Sequence, residues 1–155
     1  MLYLSCQDFF CDVAMQNSLF TSPNTSKTND PNEFVFLSHL IKKYRRDVHQ
    51  LFEGCSADSI QLATERLGTE LPKDFQDFLR YCNGCVLFRG ALQIRSAEQL
   101  TCAHEDYSQV ILFAEGTQKD CWAFVANGSG EYIFGLWRDE AFVPMHRTFH
   151  KWLQA

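Results

Sequence analysis

Cys82-Asn83-Gly84-Cys85 has the spacing of a thiol redox pair or of half a zinc site. Cys102 and His104 could complete four metal ligands on paper. Three features point away from that chemistry. Cys82 continues the apolar stripe Phe75, Phe78, Leu79, Cys82 at i, i+3, i+4 and i+7, which makes it a core residue. The second half reads C-x-H instead of C-x-x-C. A thioredoxin-type pair opens a helix after a strand, whereas this pair sits at a helix end. We read Cys82 as a buried thiol and Asn83-Gly84 as a helix stop, because both residues tolerate the left-handed backbone. Neither metal nor cofactor is expected.

Other catalytic patterns fare no better. The sequence has no G-x-S-x-G nucleophile turn. His39, His49, His104, His146 and His150 define no triad. The adjacent carboxylates Glu105-Asp106 and Asp139-Glu140 point in different directions on a helix or strand, so solvated turns explain them better than acid–base work. Asn127-Gly-Ser-Gly130 lies between two strand-like runs and lacks the spacing of a phosphate loop, so it reads as a hairpin turn. The basic run at residues 42–46, KKYRR, reads as a solvated helix face. An enzyme is not expected.

One electrostatic asymmetry remains. From Glu98 to Glu140 there are eight acidic residues, opposed only by Lys119 and Arg138. If the loops of a sheet gather them, that side would steer a basic partner. Glu105, Asp106, Asp120, Glu131, Asp139 and Glu140 are the candidate contacts, with Trp137 as an aromatic anchor among them. The net charge of −5 argues against a nucleic-acid partner.

The elements that must position these residues can be read from periodicity. Hydrophobic residues make up 46% of the 155, enough for one ordinary core. Residues 1–20 form an apolar arm, and residues 21–32, TSPNTSKTNDPN, hold no Val, Ile, Leu or aromatic and read as a flexible linker. A linker of that length spans about 20 Å. Residues 33–155 are expected as a single domain. Phe34, Leu37, Ile41, Tyr44, Val48 and Leu51 predict one long helix. Ser56 caps a second helix that Gly68 ends, and Pro72 starts a third. Beyond Gly84, CVLFRG, ALQIRS, QVILFAEG, DCWAFVAN and EYIFGLWR read as strands, and Val143-Pro144 ends a last short one. Residues 147–154 predict a final helix. Helices, then a meander, then a helix make an α+β class: an antiparallel sheet flanked by N-terminal helices and a C-terminal helix. No apolar run is long enough for a bilayer, and the N-terminus lacks the basic start of a signal peptide. A cytoplasmic chain without membrane contact is expected, its seven cysteines mostly thiols.

The spacing of Ile60, Leu67-Gly68, Leu71-Pro72, Asp74-Phe75, Phe78-Leu79 and Asn83-Gly84, followed by VILFAEG, CWAFVA, a VP segment and a terminal F-x-x-W-L, resembles the SUKH superfamily over residues 56–155. These are relatives of the fungal cell-wall-synthesis regulator, widespread as bacterial toxin-immunity proteins. The resemblance implies action by binding: a cognate toxin domain, in some cases a nuclease, is neutralised by occlusion. An alternative within the same resemblance is a regulatory or scaffold domain, with the apolar arm docking a second protein or the domain's own surface. It supplies no catalytic residue. Leu71, Pro72, Asp74, Phe75, Phe78, Asn83 and Gly84 stand at its motif positions and read as structural.

Overall fold

The computed structural model describes residues 34–44, 47–103, 109–127 and 130–155. The arm and linker read from residues 1–32 lie outside them, as do His104, Glu105 and Asp106. Among the described residues four α-helices and eight strands follow in the order α1 (Val35–Lys43), β1 (Gln50–Leu51), α2 (Ala57–Leu67), α3 (Lys73–Tyr81), β2 (Cys85–Leu87), β3 (Leu92–Ile94), β4 (Thr101–Cys102), β5 (Val110–Gly116), β6 (Cys121–Ala126), β7 (Tyr132–Arg138), β8 (Ala141–His146) and α4 (Phe149–Gln154). All strand pairings are antiparallel, in the order β1-β2-β3-β5-β6-β7-β8, and β4 pairs with β5 beyond the end of β3. This is the α+β architecture expected from the meander.

Local chemistry sets most boundaries. Ser56 accepts a hydrogen bond from the Ser59 N–H at 3.2 Å, and Gly68 ends α2 in the left-handed region at φ 67°. Pro72 stands at the cap position, one residue before α3 begins. At the other end Cys82 turns extended, and Gly84, not Asn83, takes the positive φ of 89°. A Cβ there would come within 2.9 Å of both the Ile94 carbonyl oxygen and the Ser96 nitrogen, so glycine also permits the close approach to the exit of β3.

Two expectations need correction. The apolar stripe from Phe34 to Leu51 does not make one helix. α1 stops at Lys43, and Gln50 and Leu51 pair with Val86 and Cys85. Phe34 and Leu37 are buried, while Tyr44 is 40% exposed and the Ile41 side chain lies outside the description. Pro144 does not end the last strand either. It lies inside β8 opposite Gly135, at the sheet edge, where a missing N–H is tolerated.

The core is aromatic. Phe113 of β5 meets Phe75 at 5.6 Å, Phe134 at 5.6 Å and Trp152 at 4.6 Å between ring centroids. Phe149 of α4 lies 5.0 Å from both Phe75 and Phe78 of α3. All these rings but Trp152 are fully buried. Each buried ring contributes about 1.5–3 kcal/mol relative to exposure.

Alternation assigns the two faces of β5–β8. Ile111, Phe124 and Phe134 lie in register and point inward, toward the helices. Their neighbours Leu112, Ala123 and Gly135 therefore point outward, in register with Pro144. Glu115, Cys121, Trp137 and Phe142 form a second outward row, and Val110, Val125 and Ile133 a third. The outward face of this half is mostly apolar, with Glu115 the charged member of these rows.

Candidate functional site

The thiol pair is fully buried. The Cys82 thiol donates to the Gly84 carbonyl at 2.8 Å, and the two cysteines are hydrogen-bonded to each other. That bond and burial push the Cys85 thiol well above its ordinary range, so it stays protonated. Cys102 packs against the edge of the core on β4. Among the described residues no three His, Cys, Asp or Glu side chains converge to hold a metal, so Cys102 is not brought to the pair.

The motif residues tie elements together. Leu71, Pro72, Phe75 and Phe78 are buried. The Asp74 carboxylate accepts from the Phe75 N–H at 3.0 Å and, across the fold, from the Phe149 N–H at 2.6 Å. It thus caps the first turn of α4 from α3, alongside the local cap in which Thr148 accepts from the Lys151 N–H. The Asn83 side-chain oxygen accepts from the Ala97 N–H at 2.8 Å, and its amide donates to Glu98 at 3.0 Å. Glu98 is held below the usual carboxylate range by its own backbone N–H, with the Asn83 amide adding to the effect against partial desolvation. Arg66 of α2 donates to the Leu100 and Ala97 carbonyls at 2.7 and 3.0 Å, closing the same corner. Sequence reading missed the Arg66 and Asp74 roles because the partners lie 31 or more residues away.

The acidic candidates separate into groups. Asp120 is paired with Arg138, whose nitrogens lie 2.6 and 3.0 Å from one carboxylate oxygen. Glu115 is paired with Arg95. Glu131 sits at the β6–β7 turn, where Asn127 donates to its carboxylate. Asp139 and Glu140 form the two-residue β7–β8 turn, between the paired residues Arg138 and Ala141. They are exposed and have no ion-pair partner among the described residues. Glu131 lies beyond the opposite end of β7, about 26 Å from Asp139 by strand rise.

The β7–β8 turn is unusual in its backbone. Asp139 and Glu140 have φ of 50° and 59°. This is the type I′ pattern, which favours Asn and Gly, and glutamate there stores strain of order 1 kcal/mol. Next to the turn, Trp137 and Phe142 are directly opposed, and both are half-buried. Two adjacent carboxylates are thereby fixed at a protruding tip beside an outward aromatic pair.

A buried histidine lies at the other end of the sheet. His49 is 4% exposed, with its ring 4.9 Å from Phe88 and 5.6 Å from Tyr44. Its Nδ1 accepts from the Phe88 N–H at 3.3 Å, which leaves the proton on Nε2. Burial lowers its pKa, so it is held neutral.

Among the described residues no helix is long and apolar enough to cross a membrane. No curated protein matches the chain. The model of the SMI1 / KNR4 family (SUKH-1) matches residues 54–153, from just before α2 to the penultimate residue of α4, and the chain belongs to that family.

Proposed function

We propose that this protein acts by binding, not catalysis, and neutralises a cognate toxin domain by occluding it in the cytoplasm. Membership of the SUKH family supports the class of activity. The observation that carries the finer reading is the β7–β8 tip: Asp139 and Glu140 kept in a strained left-handed turn, exposed and without an ion-pair partner among the described residues, beside Trp137. A hairpin needing only stability would place Asn-Gly there. Retained strain of this kind points to a use for the side chains. A carboxylate pair at a protruding tip attracts a basic surface, such as the substrate face of a nuclease, and speeds encounter.

The test is affinity capture of the full chain from its host lysate at low and high salt, with the partner then expressed with and without the chain. One salt-sensitive partner whose toxicity the chain abolishes is the expected result. A captured partner whose toxicity is unchanged, or only non-toxic regulatory proteins, would transfer the family's scaffold role to this chain instead.

A further inference from the structure

The β2–β3 turn is held in a conformation that its residues disfavour. Phe88 and Arg89 have φ of 53° and 56°, and Gly90 follows at 89°. Glycine suits the left-handed region, but a bulky ring there is an outlier that its surroundings must impose. Three consecutive residues ahead of β1 grip the turn. The His49 Nδ1 accepts from the Phe88 N–H at 3.3 Å, the Val48 carbonyl accepts from the Arg89 N–H at 2.8 Å, and Asp47 pairs with Arg89 at 3.8 Å. The ion pair is exposed on both sides and contributes little. The two hydrogen bonds come from a half-buried Val48 and a buried His49.

His49 is the member of this clamp whose hydrogen bond depends on protonation. Its neutral ring already buries an Nε2–H that has no acceptor among the described residues. A proton on Nδ1 would face the Phe88 N–H, donor against donor, and leave a buried charge with no acceptor on either nitrogen. The groups around it offer the cation no home. Tyr44, after α1, and Phe88 present rings, and Lys43, which lies over the Tyr44 ring, and Arg89 are cations. Asp47 supplies a carboxylate, but it pairs with Arg89. Arg45 and Arg46 lie outside the described residues. We propose that His49 is an acid-operated latch: its protonation frees the Phe88 N–H, lets the turn at residues 88–90 leave the left-handed region, and releases β1 from the sheet. β1 is short enough to follow, since only Gln50 and Leu51 pair with β2. The β7–β8 tip lies at the other edge of the sheet, so the latch is independent of the binding proposed for that tip.

The test is amide exchange of the full chain, labelled for NMR, from about pH 8 to about pH 5, with the histidine rings followed in the same samples. The amides to watch are Phe88, Arg89 and Phe52, whose N–H bonds to the Gly84 carbonyl just past β1. Their protection, corrected for the intrinsic pH trend, should fall about tenfold per pH unit between the unfolded histidine value of about 6.5 and the lower folded one. Protection in β5–β8 should hold over the same range. His146 ends β8, so its own titration registers at that edge and not at Phe88. His49→Asn keeps an acceptor near the Nδ1 position without titrating, and should leave the three amides protected throughout. A Phe88 amide unmoved while the His49 ring titrates, a loss of protection spread evenly over all strands, or the same loss in His49→Asn would overturn the proposal. The native titration decides even if the variant does not fold.

Discussion

The inner and outer faces of β5–β8 use similar residues under opposite circumstances. Inward, Ile111, Phe113, Phe124 and Phe134 are sealed by the rings of α3 and α4. Outward, Leu112, Val125, Ile133, Trp137 and Phe142 are half-buried and stand outside that core. Apolar area already removed from water holds the fold. The inner face therefore accounts for most of the stability.

Substitution should separate the two most sharply at matched depth in the sheet. Phe113→Ala removes a ring that contacts five others and should cost about 3–5 kcal/mol in urea unfolding. Ile133→Ser on the outer face should cost less than about 1 kcal/mol. Equal losses would mean that the outer face is a second core. A smaller effect is expected where the helices are pinned to the inner face. Asp74→Ala leaves the Phe149 N–H without its carboxylate and should destabilise by about 1–2 kcal/mol, with the loss of protection confined to amides of α4. Uniform loss of protection would show that Asp74 supports the whole fold instead.

The smallest changes probe the rim and the far end. Glu140→Gly relieves a left-handed glutamate and should stabilise by about 0.5–1 kcal/mol while slowing capture of a basic partner. A gain in stability without slower capture would leave the turn's strain unexplained by binding. At the β1 end, burial keeps His49 neutral. Its folded pKa lies below the unfolded value of about 6.5, so the unfolded chain takes up the proton first as pH falls. Stability is full above that value and declines below it, and His49→Phe should flatten this part of the profile. Asp47, two residues before His49, pairs with Arg89 at 3.8 Å.

What could be read from sequence follows from what is local. Pro72, the Phe75-Phe78-Leu79 stripe and Gly84 specify α3 within one window, and the structure agrees there. The stripe from Phe34 to Leu51 misleads because helical spacing continues by chance past Lys43, while pairing of Gln50-Leu51 with β2 decides the local form. Pro144 reads as a stop until the sheet order shows that β8 is an edge. The acidic candidates were legible as residues but not as a group, since only the hairpin register sends Glu131 and Asp139 to opposite ends of β7. The outer face was hidden for a related reason. VILFAEG is apolar at nearly every position, which marks a strand with two apolar faces but says nothing of what covers the second.

The central claim is that an acidic tip recruits a basic partner. It is tested most directly by the association rate of the captured partner with the native chain and with the Asp139→Lys, Glu140→Lys double variant, each at low and high salt. The account predicts a rate that falls with salt for the native chain, a markedly slower and nearly salt-independent rate for the variant, and unchanged stability. A rate indifferent to both salt and charge reversal would contradict it.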